Sequence, residues 1–139
     1  MTRRPDETPR GPLAGLKVVD LTHVMAGPTC TLMLADMGAD VIKIEKWPNG
    51  DDTRHSIPPK IGDEAASFLM MNRNKRGIVL DLKTPGGARV LKRLIETADV
   101  LVENFGPGAR RGVRRRAIAA GACSGRPPCP RGSPGSCST

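Results

Sequence analysis

The chain has 139 residues, enough for one modest domain, and it contains two Phe, one Trp and no Tyr, so its core must be built from aliphatic side chains. No run of about 18 apolar residues is present, which excludes a predicted transmembrane helix. The first residues, MTRRPDETPRGPLAG, lack the apolar segment of a signal peptide. We therefore expect a cytoplasmic protein with no membrane partner.

The net charge of +8 would suit a nucleic-acid-binding protein, but the distribution of the charge argues against that function. Residues 110–139 contain seven Arg and no acid, whereas residues 1–109 carry 15 basic and 14 acidic side chains. The basic excess therefore belongs to the tail and not to the predicted folded part. We expect no nucleic-acid partner.

The four cysteines do not indicate a metal centre. Cys123, Cys129 and Cys137 follow one another as C-x5-C-x7-C with no His nearby, a spacing that matches no common zinc pattern. Cys30 lies within a helical pattern, where we expect a buried and inert thiol. We therefore predict that the protein binds no metal.

Between residues 12 and 109 the apolar pattern alternates strands with helices. The strands are predicted at 16–22, 39–46, 77–82 and 99–104. Helices are predicted at 29–37 and 63–71, and a third begins after Thr84, a suitable N-cap, with Pro85 at the first helical position. This alternation predicts an α/β fold with a parallel sheet. We expect residues 1–11 to be a disordered leader and residues 110–139 a disordered Arg/Gly/Pro-rich tail.

Polar or glycine-containing segments follow each predicted strand. They are 23–28 (HVMAGP), 45–46 (EK), 83–84 (KT) and 104–108 (NFGPG). The carboxyl ends of parallel strands share one edge of the sheet, where ligands of open α/β sheets bind. Lysines and helix N-termini favour phosphate, so the sequence predicts a site for a phosphorylated ligand. The signatures G-x-G-x-x-G and G-x-x-x-x-G-K-[ST] are absent, which disfavours a dinucleotide dehydrogenase and a P-loop NTPase.

Each of these residues also has a purely structural interpretation. Gly27 and Pro28 could simply start a helix, and Lys46 and Lys83 could be solvated surface lysines. His23 could be packed in the fold, since nothing near it in sequence forms a triad with it. The basic run 72–76 (NRNKR) could be a solvated turn, a phosphate cradle or an RNA contact, although no aromatic residues alternate with it.

Five segments together resemble the N-terminal part of the family III CoA-transferases, which include formyl-CoA transferase and the carnitine CoA-transferases. They are GLKVVDLTHVMAGP, LADMGADVIKIEK, GDDTR, NRNKRGIVLDLKTPGG and ADVLVENFGPGA, in the family's order and spacing over residues 12–109. The resemblance implies a truncated Rossmann-like domain that binds coenzyme A (CoA) as a co-substrate. It further implies that the H-V-x-A-G-P turn lies against the CoA.

The resemblance also implies which residues form the CoA site. They are His23, Val24, Met25, Ala26, Lys46, Leu80, Lys83, Asn104 and Phe105. The first four belong to the turn, where Val24 and Ala26 would contact the cofactor. Lys46 stands where the family often has Arg, near the CoA phosphates. Leu80 and Lys83 would flank the adenine and phosphate end, and the last two would complete the wall.

The implied reaction moves CoA from an acyl-CoA to a carboxylic acid acceptor through an anhydride with an Asp carboxylate. In the family this Asp lies beyond the segment that resembles 99–109, and no Asp or Glu follows Glu103 here, so we assign no catalytic residue. Met25 replaces the Gln of formyl-CoA transferase, which argues against a formyl or oxalate substrate. An intact member is expected to be a homodimer, whereas this chain is not.

Other interpretations stay open at this point. An α-methylacyl-CoA racemase would share the fold and the CoA site, although His23 and the N-F-G-P-G segment favour a transferase. A non-catalytic fragment, or a nucleic-acid binder that uses the Arg-rich tail, are further alternatives. Because the resemblance stops near Ala109 and the sequence beyond has no Lys and no acid, we expect residues from about 110 onward to be an out-of-frame translation and this chain to be inactive.

Overall fold

A computed structural model of the chain describes residues 11–55 and 59–106. The predicted leader, apart from Gly11, and the predicted tail 110–139 lie outside the described residues. The elements in chain order are β1 (Lys17–Asp20), α1 (Ala26–Asp36), β2 (Asp40–Lys46), β3 (Lys60–Ile61), β4 (Glu64–Ala65), α2 (Ala66–Asn72), β5 (Arg76–Leu80), α3 (Pro85–Glu96) and β6 (Val100–Val102). A single 3-10 helical turn at Asp52–His55 precedes β3.

Four strands form one parallel sheet in the order β5-β2-β1-β6. β1 lies inside the sheet, where Val18 pairs with Val41 of β2 on one side and with Val100 of β6 on the other. The helices that connect the strands return the chain to the same end of the sheet each time, as parallel pairing requires. The predicted α/β fold with a parallel sheet is confirmed.

Helices cover both faces of this sheet and bury two apolar clusters. On one face, Leu91 and Ile95 of α3 pack with Val19, Leu21 and Ile44. On the other face, a cluster forms from Val18, Val41, Ala35 and Ala39. This explains why neighbouring residues of β1 and of the middle of β2 are aliphatic, since a strand covered on both sides has no solvent face. No helix in ranges 11–55 and 59–106 is long and apolar enough to cross a membrane.

Helix α1 begins at Ala26, earlier than the predicted start at residue 29. The Gly-Pro pair lies inside the first helical turn and not before it, because Pro lacks only an N–H that has no partner there. The side of α1 that faces the sheet is formed by Gly27, Pro28, Thr31, Leu32 and Ala35. Cys30 falls on the opposite side and is exposed, so the prediction of a buried thiol was wrong.

Between β2 and α2 lie the 3-10 turn and β3, which pairs with β4 in an antiparallel hairpin of two residues in each strand. Gly62, at a φ of 63°, forms the bend between these two strands. α2 therefore starts at Ala66 and not at residue 63, because Glu64 and Ala65 are used for pairing. α3 begins as predicted, with Pro85 first and the Thr84 hydroxyl accepting a hydrogen bond from Gly87 N at 3.1 Å.

The basic run 72–76 has a structural role that its sequence did not reveal. Lys75 is buried, and its ammonium donates to Pro28 O and Thr31 Oγ1 at 2.8 Å and pairs with Asp20 Oδ2 at 3.2 Å. It also contacts Asn72 Oδ1 at 3.0 Å. The interpretation of this run as a wholly solvated basic turn was therefore wrong. Lys75 instead links the start of β5 to the first turn of α1 and to the end of β1.

Candidate functional site

The carboxyl ends of the four parallel strands lie side by side at one edge of the sheet. Lys46, the last residue of β2, is the register partner of Leu80, the last residue of β5. β1 lies on the other side of β2, and the chain leaves β1 and reaches His23. The backbone N–H and C=O of His23 are hydrogen-bonded to the side chain of Asn104, which follows β6. Residues predicted from separate segments are thus brought to one edge.

The side-chain amide of Asn104 joins the end of β6 to the turn after β1. Its Nδ2 donates to His23 O at 2.9 Å, and its Oδ1 accepts from His23 N at 3.0 Å. The ring of the next residue, Phe105, lies with its centroid 6.0 Å from that of His23 and also packs against the cluster beneath α3. Asn104 and Phe105 therefore hold the turn from one side.

The turn itself is strained and apolar. Val24 adopts a φ of 69°, a left-handed conformation that β-branched residues avoid and that costs about 1–3 kcal/mol. The surrounding carbonyls are held in place, with Thr22 O bound by Lys43 Nζ at 2.9 Å and Met25 O bound by Thr29 N at 2.9 Å. Val24 and Met25 nevertheless expose 48% and 64% of their surface. A rigid turn that presents two apolar side chains to solvent is suited to packing against a ligand.

The predicted phosphate-side residues lie at the β2 and β5 end of the same edge. Lys46 pairs with the carboxylate of Asp52, and both side chains are about half exposed. Lys83 follows β5 in a turn where its N–H donates to Asp81 Oδ1 at 2.9 Å, and its side chain is exposed. Leu80 is half-buried and packs against the cluster beneath α3. Two cations therefore face solvent at this end of the site.

Sequence reasoning missed the buried ion pair beneath the turn. Lys43, in the middle of β2, is 1% exposed, and its ammonium lies 2.8 Å from Asp51 Oδ2. The other carboxylate oxygen of Asp51 accepts from Thr53 N at 3.0 Å and from Thr53 Oγ1 at 2.8 Å. The D-x-T spacing of this Asx-type turn was a usable local signal, but nothing local marks Lys43 as buried. The pair fixes the loop after β2 against the end of β1.

This ion pair predicts a loss of stability in acid. Burial alone would raise the pKa of Asp51, but Lys43 and the bonds from Thr53 outweigh it and lower the pKa from 3.8 to about 2. A carboxylate with a depressed folded-state pKa adds stability that is complete above its unfolded pKa and disappears as the pH falls through its folded pKa. We expect Asp51 to contribute about 2 kcal/mol near neutral pH.

Urea denaturation of the wild type and of Asp51→Asn between pH 6 and pH 2 measures this contribution. The difference in unfolding free energy between the two proteins should shrink by about 2 kcal/mol across that range. A difference that stays constant with pH would contradict the assignment. Comparing the two proteins cancels the titration of the other carboxylates.

Two other features of the described residues bear on where a ligand binds. A cavity of about 590 Å³ lies beside α2, lined by Pro59, Ile61, Ala66, Ser67, Leu69 and Met70, and it contains none of the strand-end residues. Among residues 11–55 and 59–106 no group of three or more His, Cys, Asp or Glu is placed to hold a metal ion. The sheet edge combines exposed lysines with exposed apolar side chains, which makes it the stronger candidate site.

Comparison with known proteins identifies close relatives for most of the chain. The model of CoA-transferase family III matches residues 13–122, a range that extends beyond Ala109. The out-of-frame origin of residues from about 110 onward therefore stays a prediction. The chain is 48% identical over 97 residues to the succinyl-CoA:glutarate CoA-transferase of Homo sapiens, which covers 70% of this chain and 22% of that protein. It is 55% identical over 98 residues to the formyl-CoA:oxalate CoA-transferase of Rhodopseudomonas palustris, and this match covers 69% of this chain and 23% of that protein.

Solved structures agree with these relatives. The fold matches a crystal structure of a CaiB/BaiF family protein from Brucella suis with a TM-score of 0.71 and 41% identity, covering 79% of this chain and 31% of that one. It also matches a hypothetical protein from Mycobacterium tuberculosis with a TM-score of 0.67 and 40% identity, covering 76% and 29%. The chain spans about a quarter of the length of the two curated relatives. On the family match and these relatives together, the chain belongs to CoA-transferase family III.

Proposed function

We propose that this chain forms the CoA-binding part of an enzyme that moves CoA from an acyl-CoA to a carboxylic acid. The observation that carries the proposal is the single sheet edge on which the strained turn after β1, the two solvent-facing cations and the Asn104–Phe105 wall lie together. The relatives in the comparison are named for CoA transfer between acyl-CoA and acid pairs, which supports the same reaction class.

The charges at this edge support a defined orientation of the ligand. CoA carries a diphosphate and a ribose phosphate at one end and an uncharged thiol arm at the other. Lys46 and Lys83 lie at the β2 and β5 end of the site and suit the phosphates as point charges. The ligand would then extend along the edge over β1 and β6, where Val24, Met25 and Phe105 offer apolar contacts.

The first turn of α1 adds to this attraction. α1 begins at this same edge, and among the described residues it has no acid in its first turn and no side-chain hydrogen bond from its N-cap residue Met25. The positive end of the helix dipole at this terminus favours a negatively charged or carbonyl ligand. The same turn would hold the thioester end of CoA in a fixed position for attack.

The chemistry would follow the anhydride route that the family resemblance implies. An Asp carboxylate attacks the thioester carbonyl, the C–S bond breaks, and CoA leaves as a thiolate while an acyl–aspartyl anhydride forms. The thiolate attacks the aspartyl carbonyl, forms an aspartyl–CoA thioester and expels the first acid as its carboxylate. The acceptor carboxylate then displaces CoA to form a second anhydride, and the thiolate attacks its acyl carbonyl to give the new acyl-CoA and the free Asp.

The acids described at this edge are poor candidates for that nucleophile. Asp51 is fully buried and paired with Lys43, and Asp52 is paired with Lys46. Glu103 accepts a hydrogen bond from Phe105 N at 2.9 Å. A carboxylate that is buried or already paired is a weak nucleophile. We therefore assign this part of the chain to binding and expect the 139 residues by themselves to bind CoA without transferring it.

Calorimetric titration of CoA into the protein tests the proposal. We expect the double variant Lys46→Ala/Lys83→Ala to bind CoA more weakly than the wild type by a factor on the order of ten or more. Each substitution removes a charge-assisted contact with phosphate. Lys92→Ala, which removes an exposed lysine in the middle of α3, is the matched control and should leave the affinity unchanged.

Pantetheine, the thiol arm without phosphates, separates the two ends of the ligand. The wild type and the Lys46/Lys83 double variant should bind pantetheine equally, since its contacts lie over β1 and β6. Equal CoA affinity for both proteins would overturn the proposed orientation. No detectable binding of CoA to the wild type would overturn the proposed site.

A further inference from the structure

His23 and Asp51, 28 positions apart in the sequence, meet beneath the turn after β1. Nδ1 of His23 is buried, and none of the described residues makes a hydrogen bond with it. Oδ2 of Asp51 lies 3.7 Å from this nitrogen, too far for a hydrogen bond but close enough for a strong electrostatic interaction. Buried polar atoms in native proteins are rarely without a partner, so this pair calls for an explanation.

The explanation depends on which ring nitrogen carries the proton. Burial and the nearby Lys43 and Lys46 lower the pKa of His23 from 6.5, while Asp51 and Asp52 oppose this shift, so the ring is neutral above pH 7. A neutral imidazole has one N–H donor and one bare acceptor nitrogen. A bare Nδ1 would direct its lone pair at the Asp51 carboxylate, which is repulsive, whereas an Nδ1–H directs a positive end at it.

We propose that Asp51 is a positioning residue that holds the proton of His23 on Nδ1 and thereby leaves Nε2 as a bare acceptor for an N–H group of the ligand. Its own position is set independently of His23, because Lys43 lies 2.8 Å from Oδ2 and Thr53 donates twice to Oδ1. A carboxylate behind an imidazole sets the tautomer in this way in many binding and catalytic sites.

The ligand chemistry follows from the orientation proposed above, and only this step rests on the proposed function. If the phosphates lie at the β2 and β5 end, the uncharged arm of CoA crosses β1 and β6, where His23 lies beside Phe105. That arm carries two amide N–H groups, which need acceptors when they leave water. A bare Nε2 supplies such an acceptor, and an Nε2–H would not.

The second histidine of the chain is an internal control. Nε2 of His55 lies 3.0 Å from Asn49 O. A carbonyl oxygen only accepts, so Nε2 of His55 must carry the proton. His23 and His55 are the two histidines of the sequence, and they are expected to have opposite tautomers.

Nitrogen NMR of the protein labelled with ¹⁵N-histidine at pH 7.5 tests the proposal directly. We expect one histidine with a protonated Nδ1 and a bare Nε2, and a second with the reverse, and His55→Gln identifies His23 by removing the second. A wild-type His23 that carries its proton on Nε2 overturns the proposal, whether or not any variant folds. If Asp51 served only to stabilise the fold, replacing it would leave the protonated nitrogen of His23 unchanged.

Two further measurements separate this inference from the CoA proposal. In Asp51→Asn the proton of His23 should move toward Nε2, and an unchanged tautomer in a folded variant contradicts the role of Asp51. On addition of CoA to the wild type, the Nε2 signal should shift while Nδ1 stays protonated. If the Lys46/Lys83 variant binds CoA normally but the tautomer is as expected, the proposed orientation fails and the role of Asp51 stands.

Discussion

Lys75→Met should destabilise the protein by about 3–5 kcal/mol, the largest effect that we expect from a single charge substitution. The ammonium of Lys75 is buried and bonds Pro28 O, Thr31 Oγ1 and Asn72 Oδ1, and it pairs with Asp20. Methionine has a similar volume, so the loss comes from polar groups left without a partner and not from a cavity. Asp20 would keep its bonds to hydroxyl groups but would become a buried charge without a counter-ion.

Arg76→Met is the matched control for this prediction. Arg76 is the next residue, and it pairs with Asp40 at 2.7 Å, but its side chain is 63% exposed. An exposed ion pair contributes about 0–1 kcal/mol, so this variant should unfold nearly like the wild type in urea. The double variant Asp20→Asn/Lys75→Met should recover part of the lost stability. A loss below about 1 kcal/mol for Lys75→Met would contradict the buried pair.

Gly27→Ala should both destabilise the protein and weaken CoA binding. A methyl group at this position would lie 2.3 Å from Thr22 Cβ, and Thr22 is itself fully buried. The first turn of α1 and the end of β1 would have to separate, and overpacking of this kind costs about 1–3 kcal/mol or more. Because Val24 and Met25 lie between these two elements, the shift would displace the binding turn.

Gly86→Ala separates this contact from the general effect of adding a methyl group. Gly86 lies in the first turn of α3, and a methyl group there would meet nothing closer than Thr84 Oγ1 at 4.0 Å. The substitution should be neutral or stabilising by up to about 1 kcal/mol, since Ala has the higher helix propensity. Thermal unfolding and CoA titration of both variants give the comparison, and a Gly27→Ala protein with wild-type stability would show that the turn is looser than described.

The elements that were predicted well depend on local sequence patterns. The aliphatic runs of β1 and β2 and the Thr84-Pro85 start of α3 are recognisable within a window of a few residues, because strand burial and helix capping are local effects. Parallel pairing follows from the alternation of strands and helices. The gathering of the strand-end residues at one edge was predictable for the same reason, since it needs only the parallel topology.

The buried charges could not be predicted in this way, because their partners lie far away in the sequence. Lys75 and Asp20 are 55 residues apart. A lysine in a basic run resembles a solvated lysine until the fold places a carboxylate beside it. The same holds for Lys43, which lies between the aliphatic residues Ile42 and Ile44, and for the approach of His23 to Asp51. The exposure of Cys30 was missed because the prediction relied on the usual burial of free cysteines, whereas Cys30 lies on the side of α1 away from the buried Thr31 and Ala35.

The location of bound CoA tests the central claim most directly, and backbone amide NMR during a CoA titration measures it. We expect the largest shifts at Val24, Met25, Ala26 and Lys83 and at the side-chain amide of Asn104, with little change along α2. Shifts confined to the cavity beside Ile61 and Met70, or no shifts at a CoA concentration that saturates the calorimetric signal, would contradict the assignment of the strand-end edge as the CoA site.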